Sequence, residues 1–223
     1  MIAPMSLWRR IQLTYRYHGW RALLFRAITF PLRFTPLRHH LALRGVVRDD
    51  RMRARAWYRR SAHPVTVVIP SYRDTDDVIR TVSSIKRTTK SRRVSIVVAD
   101  DASGEEHLAA LRRIRDIEVI AGERNQGFAA NANRGVRAVP AGRDVVVLNS
   151  DMEALPGWLE CLQYAVRSSD YVGIAGAKLL YPDDRIQFGG TVRNRGAPEW
   201  FDHRFRFKPA DWGRPTSTPT CWR

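Results

Sequence analysis

Short apolar runs alternate with segments of helical periodicity from His63 onward. Four of the runs are rich in β-branched residues and predict strands, at 65–69, 94–99, 117–121 and 144–148. Each of the first three runs is followed by apolar residues at helical spacing. This alternation predicts a parallel sheet with right-handed crossovers and flanking helices, which is an α/β fold.

Several local features of the pattern carry their own predictions. The acids within residues 74–77 are predicted to supply the N-cap and first-turn charges of the helix that follows the first strand. The consecutive apolar residues after Asp144 predict a strand that is buried on both faces. Beyond a helix that begins near Trp158, the runs at 172–177 and 186–188 predict two further strands.

Acidic residues follow two of the predicted strands. Asp100 and Asp101 follow the second strand, and Asp151 follows the fourth. The carboxyl ends of parallel strands meet at one edge of a sheet, where ligands bind, so these carboxylates are expected to converge. Carboxylates that face a diphosphate require a divalent cation between them, and Mg²⁺ or Mn²⁺ prefers such oxygen ligands. Taken separately, each group also fits a plain polar turn or a helix cap.

The turn after the first strand excludes two common phosphate-binding motifs. It reads Pro70, Ser71, Tyr72, Arg73 and contains no glycine. Neither the dinucleotide fingerprint nor a P-loop is therefore present at the turn that these motifs normally occupy.

Residues 1–62 are predicted to form a basic amphipathic helical arm, with the α/β domain in residues 63–223. Residues 1–60 hold 14 Arg and 2 Asp, hence +12 of the net charge of +16. Apolar and aromatic residues at helical spacing, with arginines between them, suit a helix on an anionic membrane surface. The same pattern suits packing against a partner or another copy, and an arginine-rich arm also suits nucleic acid. No recognition-helix, RRM or zinc signature accompanies the arm, which weighs against nucleic acid.

The remaining composition indicates a cytoplasmic protein. The two cysteines, Cys161 and Cys221, have neither metal-ligand spacing nor the density of a disulfide scaffold. No apolar run approaches the roughly 18 residues that span a bilayer, and no signal-peptide pattern is present. We expect a cytoplasmic protein that lies, through its arm, at the inner face of the plasma membrane.

Four motifs resemble those of family 2 glycosyltransferases, in the order and spacing of that family, and are especially similar to its bacterial rhamnosyltransferase-like branch. They are VVIPSY at 67–72, VVADDAS at 97–103, NQGFAANAN at 125–133 and LNSD at 148–151. The resemblance covers about residues 64–192. It implies a GT-A fold, a nucleoside diphosphate sugar donor and inversion at the anomeric carbon.

The first two motifs imply the nucleoside side of a donor site. By the resemblance, Pro70, Ser71 and Tyr72 line the nucleoside pocket. Asp101 binds the base, with Asp100 beside it.

The last two motifs imply the remainder of the donor site. Asn149 and Ser150 are expected near the ribose and the sugar, and Asp151 is the implied ligand of a Mg²⁺ or Mn²⁺ ion. Asn149 stands where many relatives have an acid, which weakens the implied metal site. Asn125 and Gly127, before a helix, are expected against the donor, because amides at helix N-termini favour anions.

The sequence departs from the family pattern at the general base. Inverting transfer requires a group that takes the proton of the acceptor hydroxyl, and the family supplies an acid in a Glu-Asp or similar motif after the metal-binding strand. No acid after Asp151 stands in such a context, and Glu199, Asp202 and His203 also fit a solvated loop. We therefore expect a fragment of a longer protein, which binds donor weakly and transfers sugar poorly.

Two function classes follow from these observations. The first is sugar transfer from a nucleoside diphosphate sugar to a lipid-linked or saccharide acceptor in cell-surface polysaccharide or glycolipid synthesis. The second is a catalytically silent nucleotide-sugar-binding or scaffold protein. Donor binding without turnover separates the second class from the first.

Overall fold

The computed structural model of the chain describes residue 20 and residues 48–89, 93–167, 170–193 and 201–209. Of the predicted arm, residues 1–19 and 21–47 lie outside the described residues. The last part of the predicted arm forms helix α1 (Arg48–Ser61). Among the described residues, no helix is long and apolar enough to cross a membrane.

The described chain divides into two compact units, one of residues 49–176 and one that contains residues 177–209. The first unit holds a parallel sheet of four strands: β1 (Val65–Ser71), β2 (Val94–Asp100), β3 (Glu118–Ala121) and β4 (Asp144–Val147). The strand order is β3-β2-β1-β4. Helices follow each strand, namely α2 (Thr75–Thr88), α3 (Glu105–Arg112), α4 (Phe128–Arg137) and α5 (Trp158–Arg167). The predicted α/β fold with a parallel sheet and flanking helices is confirmed.

Strand β1 lies at the centre of this unit and is buried along its whole length. Because side chains alternate across a strand, Val67 and Ile69 face one layer and Val68 faces the other. Val67 and Ile69 belong to one apolar core with Val82 and Ile85 of α2. Helix α4 covers the opposite face, where Gly135 lies against Val68.

The prediction that the Asp144 strand is buried on both faces is wrong. Val145 and Val147 are 40% and 48% exposed, whereas Val146 packs against the core. Strand β4 is the last strand of the sheet and pairs with β1 alone. A run of valines predicts burial on both faces only where elements cover both faces, and the described residues cover one.

The predicted strand at 172–177 is also wrong, since these residues form no regular structure. Tyr171 and Ile174 are 99% and 91% exposed. An apolar run becomes a strand only when a neighbouring strand satisfies its backbone groups, and none of the described residues pairs with this run.

The second unit contains short antiparallel pairs. Strand β5 (Leu179–Leu180) pairs with β6 (Ile186–Phe188), and β7 (Thr191–Arg193) pairs with β8 (Phe201–His203). The predicted strand at 186–188 is thus confirmed. Tyr181 stacks on Phe207 with ring centroids 5.6 Å apart.

Gly135 is predicted to be required by the close approach of α4 to the sheet. A Cβ at this position would lie 2.5 Å from Val68 Cγ1 and 3.2 Å from Ala99 Cβ. Overpacking of this kind costs about 1–3 kcal/mol, which exceeds the gain of up to about 1 kcal/mol in helix propensity. We expect Gly135→Ala to lower the free energy of unfolding by about 1–2 kcal/mol, measured in urea.

Gly173→Ala is the matched control, because a Cβ there meets no heavy atom within 4 Å. It should change the free energy of unfolding by less than about 0.5 kcal/mol. The added substitution Val68→Ala should recover part of the loss in Gly135→Ala. A Gly135→Ala protein as stable as the parent would contradict this packing.

Candidate functional site

An open cleft of about 330 Å³ lies at the carboxyl ends of β1, β2 and β4. Its volume is at the lower end of the range for small-molecule sites, about 300–1,000 Å³. The strand order reverses between β1 and β4, and ligands of open α/β sheets bind in the crevice at such a switch point. We call this site the switch-point cleft.

The switch-point cleft brings together nine of the ten residues that the sequence singled out. They are Pro70, Ser71, Tyr72, Asp101, Asn125, Gly127, Asn149, Ser150 and Asp151. Asp74, Phe128 and Asn131 also line the cleft, and the sequence analysis gave them no role there. The chemical roles of these residues remain predictions.

Asp100 is the exception, because it is buried and does not line the cleft. Its Oδ2 atom accepts a hydrogen bond of 3.0 Å from the Ser103 backbone N–H. This contact stabilises the turn before α3. The N-cap position of α3 is Gly104 and no side chain caps it, so the capping alternative for the acidic pair is not what the structure shows.

Asp101 is 2% exposed and binds the chain's own backbone. Its carboxylate accepts hydrogen bonds from the backbone N–H groups of Gln126, at 3.0 and 3.1 Å, and Gly127, at 2.8 Å. The guanidinium of Arg134 lies 3.7 Å away. These contacts fix the turn before α4 against the end of β2. The anion at the N-terminus of α4 is thus the Asp101 carboxylate, and the amides of Gln126 and Gly127 are already hydrogen-bonded to it.

The loop after β4, residues 148–154, carries Asp151 and is held by helix α2. The buried hydroxyl of Thr81 donates to the carbonyl oxygens of Ser150 and Met152, the latter at 2.7 Å. The buried hydroxyl of Ser84 accepts from the Ala154 N–H at 2.9 Å. We call this segment the β4 loop; its backbone position is set by these two hydroxyls.

Asp74 connects the β4 loop to the loop after β1, residues 70–74, which we call the β1 loop. Its Oδ1 atom accepts from Ser71 Oγ at 2.6 Å and from the Tyr72 N–H at 3.0 Å. Its Oδ2 atom accepts from Ser150 Oγ. Asp74 occupies the predicted N-cap position of α2 but makes no side-chain capping bond. The capping prediction for Asp74 is therefore wrong, because its carboxylate is used across the cleft instead.

Asn131 holds the ends of β1 and β2 together. Its side chain is buried, and Nδ2 donates to the carbonyl oxygens of Ala99, at 2.7 Å, and Ser71, at 3.3 Å. The sequence feature that indicates this role of Asn131 is its position beside Ala132 and Gly135, as a polar residue on the helix face that packs against the sheet. The Ser71-x-x-Asp74 spacing, by contrast, indicates only a helix start.

The residues of the cleft fit a divalent cation that is completed by substrate. Among the described residues there is no cluster of three or more Asp, Glu, His or Cys that could hold a metal alone. Mg²⁺ is usually bound by one or two carboxylates together with substrate phosphates, rather than by an all-protein cage. Asp151 is an exposed carboxylate in the cleft, and none of the described residues donates a hydrogen bond to it. Asp151 would hold such a cation. When bound, the cation would neutralise the charge of the substrate phosphates.

The fold and the cleft define an α/β domain with a candidate ligand site at its topological switch point. The family model for glycosyl transferase family 2 matches residues 66–222. The chain therefore belongs to glycosyl transferase family 2.

Two curated proteins resemble the chain in sequence. It is 34% identical over 155 residues to the uncharacterized protein y4gI of Sinorhizobium fredii, which covers 66% of the chain and 17% of that protein. It is 28% identical over 192 residues to the O-antigen biosynthesis protein RfbC of Myxococcus xanthus, which covers 82% of the chain and 14% of that protein. The chain thus spans about a sixth of the length of these relatives.

Solved structures also align with parts of the chain. The mannosyltransferase PcManGT of Pyrobaculum calidifontis, in complex with GDP-Man and Mn²⁺, aligns with 58% of the chain and 40% of its own, at 22% identity and a TM-score of 0.39. Residues 1–349 of S. aureus TarS align with 40% of the chain and 28% of their own, at 21% identity and a TM-score of 0.37.

Thr81→Val is predicted to release the β4 loop. It keeps the side-chain shape but removes the hydroxyl, so that two carbonyl oxygens lose their donor. We expect a loss of about 1–3 kcal/mol in the free energy of unfolding, because polar groups at a buried site are left unsatisfied. Thr81→Ser, which keeps the hydroxyl, should lose less.

Ser83→Ala is the control on the same helix, since Ser83 is exposed. It should change the free energy of unfolding by less than about 0.5 kcal/mol in the same urea titration. Equal stabilities of Thr81→Val and Ser83→Ala would show that the hydroxyl does not hold the loop.

Proposed function

We propose that the chain binds a nucleoside diphosphate sugar in the switch-point cleft. In this proposal it transfers the sugar, with inversion, to an acceptor in cell-surface polysaccharide or glycolipid synthesis. The observation that carries the proposal is the convergence of the β1 loop, Asp101 and the β4 loop at one switch point. Membership of glycosyl transferase family 2 supports the reaction type. The similarity to an O-antigen biosynthesis protein supports the acceptor class.

The β1 loop is assigned to the nucleoside. Tyr72 is 44% exposed beside Pro70 and Ser71, and the guanidinium carbon of Arg73 lies 5.2 Å from the centroid of its ring. The other face of the ring is assigned to the base. Asp101 lies beside this loop in the cleft, since its backbone N–H donates to the Ser71 carbonyl at 2.9 Å, and its carboxylate is assigned to the base N–H groups. Asn125 and Gly127 border the donor on the α4 side.

The β4 loop is assigned to the ribose, the sugar and the cation. Asn149 and Ser150 supply neutral hydrogen-bonding groups, whereas Asp151 supplies the charge. A Mg²⁺ or Mn²⁺ ion at Asp151 would neutralise the diphosphate and stabilise it as a leaving group. The exposure of Asp151 suits this role, because the ion keeps waters and phosphate oxygens as ligands.

A second candidate is a donor-binding protein without transferase activity. The cleft is lined by the carboxylates of Asp74, Asp101 and Asp151. Both oxygens of Asp74 and of Asp101 accept hydrogen bonds from the protein, and Asp151 is assigned to the cation. Among the described residues, no other carboxylate lines the cleft to act as a general base. Donor binding by the chain without sugar transfer or donor hydrolysis would favour this candidate.

Nucleotide binding is predicted to depend on both the cation and Asp151. We expect UDP, dTDP or GDP to bind the purified chain at least about tenfold more tightly with Mn²⁺ than without it, by calorimetry. Asp151→Ala should remove this enhancement, because the cation then loses its protein ligand. Asp170→Ala, at an exposed acid outside the cleft, should bind like the parent.

Failure of all three nucleotides to bind would contradict the proposed donor site. If Mn²⁺ enhanced nucleotide binding equally in the parent and in Asp151→Ala, only the role of Asp151 would be contradicted, and the donor site would stand. Sugar transfer by the parent protein with a robust turnover would exclude the silent candidate.

We also propose that the arm places this activity at the cytoplasmic face of the plasma membrane, where a lipid-linked acceptor is available. The support is the +12 charge of residues 1–60 and their spaced aromatic residues. The chain should float with liposomes that contain anionic lipid, less so at high salt, and not with neutral liposomes. Removal of residues 1–47 should abolish flotation. Absence of flotation at low salt would contradict this placement.

A further inference from the structure

The side chain of Asp74 links two segments of the switch-point cleft that the backbone leaves unpaired. The register of β1 with β4 ends at Val68 and Val147, and the last backbone contact runs from the Leu148 N–H to the Val68 carbonyl at 2.9 Å. Beyond this point β1 continues to Ser71 beside β2, while β4 has ended. Beyond this point no backbone hydrogen bond between the described residues joins the β1 and β4 loops, so a direct contact between them must come from side chains.

Asp74 supplies that contact with both carboxylate oxygens. One oxygen accepts from Ser71 Oγ and the Tyr72 N–H, and the other accepts from Ser150 Oγ. Three donors thus converge on one group that only accepts hydrogen bonds. Hydrogen bonds to an ionised acceptor are shorter and stronger than neutral ones, which gives this link its stiffness.

We propose that Asp74 is a positioning residue of the donor site, which couples the nucleoside-binding β1 loop to the cation-binding β4 loop through Ser150. This inference rests on the proposed function. Asp74 lines the cleft, yet both its oxygens are engaged by protein donors, whereas Asp151 beside Ser150 is exposed. Asp74 therefore acts on the ligand through Ser71, Tyr72 and Ser150. A nucleoside diphosphate occupies both loops at once, so its affinity depends on the distance between them.

The coupling predicts a specific pattern of affinities. The affinity for a nucleoside monophosphate without metal reports the contacts to the nucleoside, including those of the β4 loop to the ribose. The enhancement of nucleoside diphosphate binding by Mn²⁺ reports the position of the cation relative to those contacts. In Ser150→Ala the monophosphate affinity should stay within about threefold of the parent, whereas the Mn²⁺ enhancement should fall about tenfold. Asp74→Ala should show the same loss of enhancement, with a larger loss of monophosphate affinity, because Ser71 and Tyr72 are also released.

The experiment measures, by calorimetry on the full chain, the affinity for UMP without metal and for UDP with and without Mn²⁺. Where the parent prefers another base, GMP and GDP or dTMP and dTDP replace this pair. The variants are Asp74→Ala, Asp74→Asn, Ser150→Ala and the double variant Asp74→Ala/Ser150→Ala. Asp74→Asn should recover part of the enhancement, because its amide oxygen still accepts on the β1 side and its NH₂ group can donate to Ser150. The double variant should lose no more enhancement than Asp74→Ala alone, since both substitutions break one link. Asp76→Asn, at an exposed acid in the first turn of α2, is the control for charge removal near the helix start.

The outcomes separate this inference from the function on which it rests. Parent-like Mn²⁺ enhancement in Asp74→Ala and Ser150→Ala would overturn the inference and leave the donor site intact. Additive losses in the double variant would also overturn it. If Asp74→Ala does not fold by circular dichroism, the Ser150→Ala result decides. No nucleotide binding by the parent would overturn the proposed function and this inference with it.

Discussion

The parallel register of β1 with both β2 and β4 is the constraint on which the rest of the structure depends. It brings the ends of three strands to one edge and leaves a crevice where the strand order reverses. The register itself is maintained by close packing. Val67 and Ile69 of β1 pack with α2 on one side, and a glycine of α4 lies against Val68 on the other. The position of the cleft is thus a consequence of the core, and its chemistry is a consequence of the loops.

The three acids of the cleft differ in their hydrogen bonding and exposure. Asp101 and Asp74 accept hydrogen bonds from the chain's own donors, which fixes the turn before α4 and the start of α2. Asp151 is exposed, and the backbone of its loop is hydrogen-bonded to buried hydroxyls of α2. Two carboxylates therefore give the site its shape, and one is available to a cation. In the proposed function, this division lets an acidic cleft accommodate a diphosphate without a protein cage for the metal.

The amino-acid pattern was sufficient to predict the strand and helix alternation and the edge of the sheet at which the cleft lies. Such predictions succeed because β-branched runs and helical spacing reflect local preferences that the parallel sheet satisfies. They failed where the outcome depended on neighbours. Val145 and Val147 are exposed because β4 is the last strand of the sheet, and residues 172–177 form no strand because no described strand pairs with them. Asp74 resembled a helix cap, since the contact across the cleft to Ser150 is separated from it by 76 positions and has no local signal.

Paramagnetic relaxation by Mn²⁺ tests the central claim most directly, because its effect falls steeply with distance from the ion. In a spectrum of backbone amides with UDP present, Mn²⁺ should broaden first the signals of the β4 loop around Asp151 and those of the β1 loop. Mg²⁺ should bind there without broadening. Signals at the opposite edge of the sheet, near Val65 and Val94, should remain sharp. Broadening centred away from the β4 loop, or absent in the presence of nucleotide, would contradict a cation-dependent donor site at the switch point.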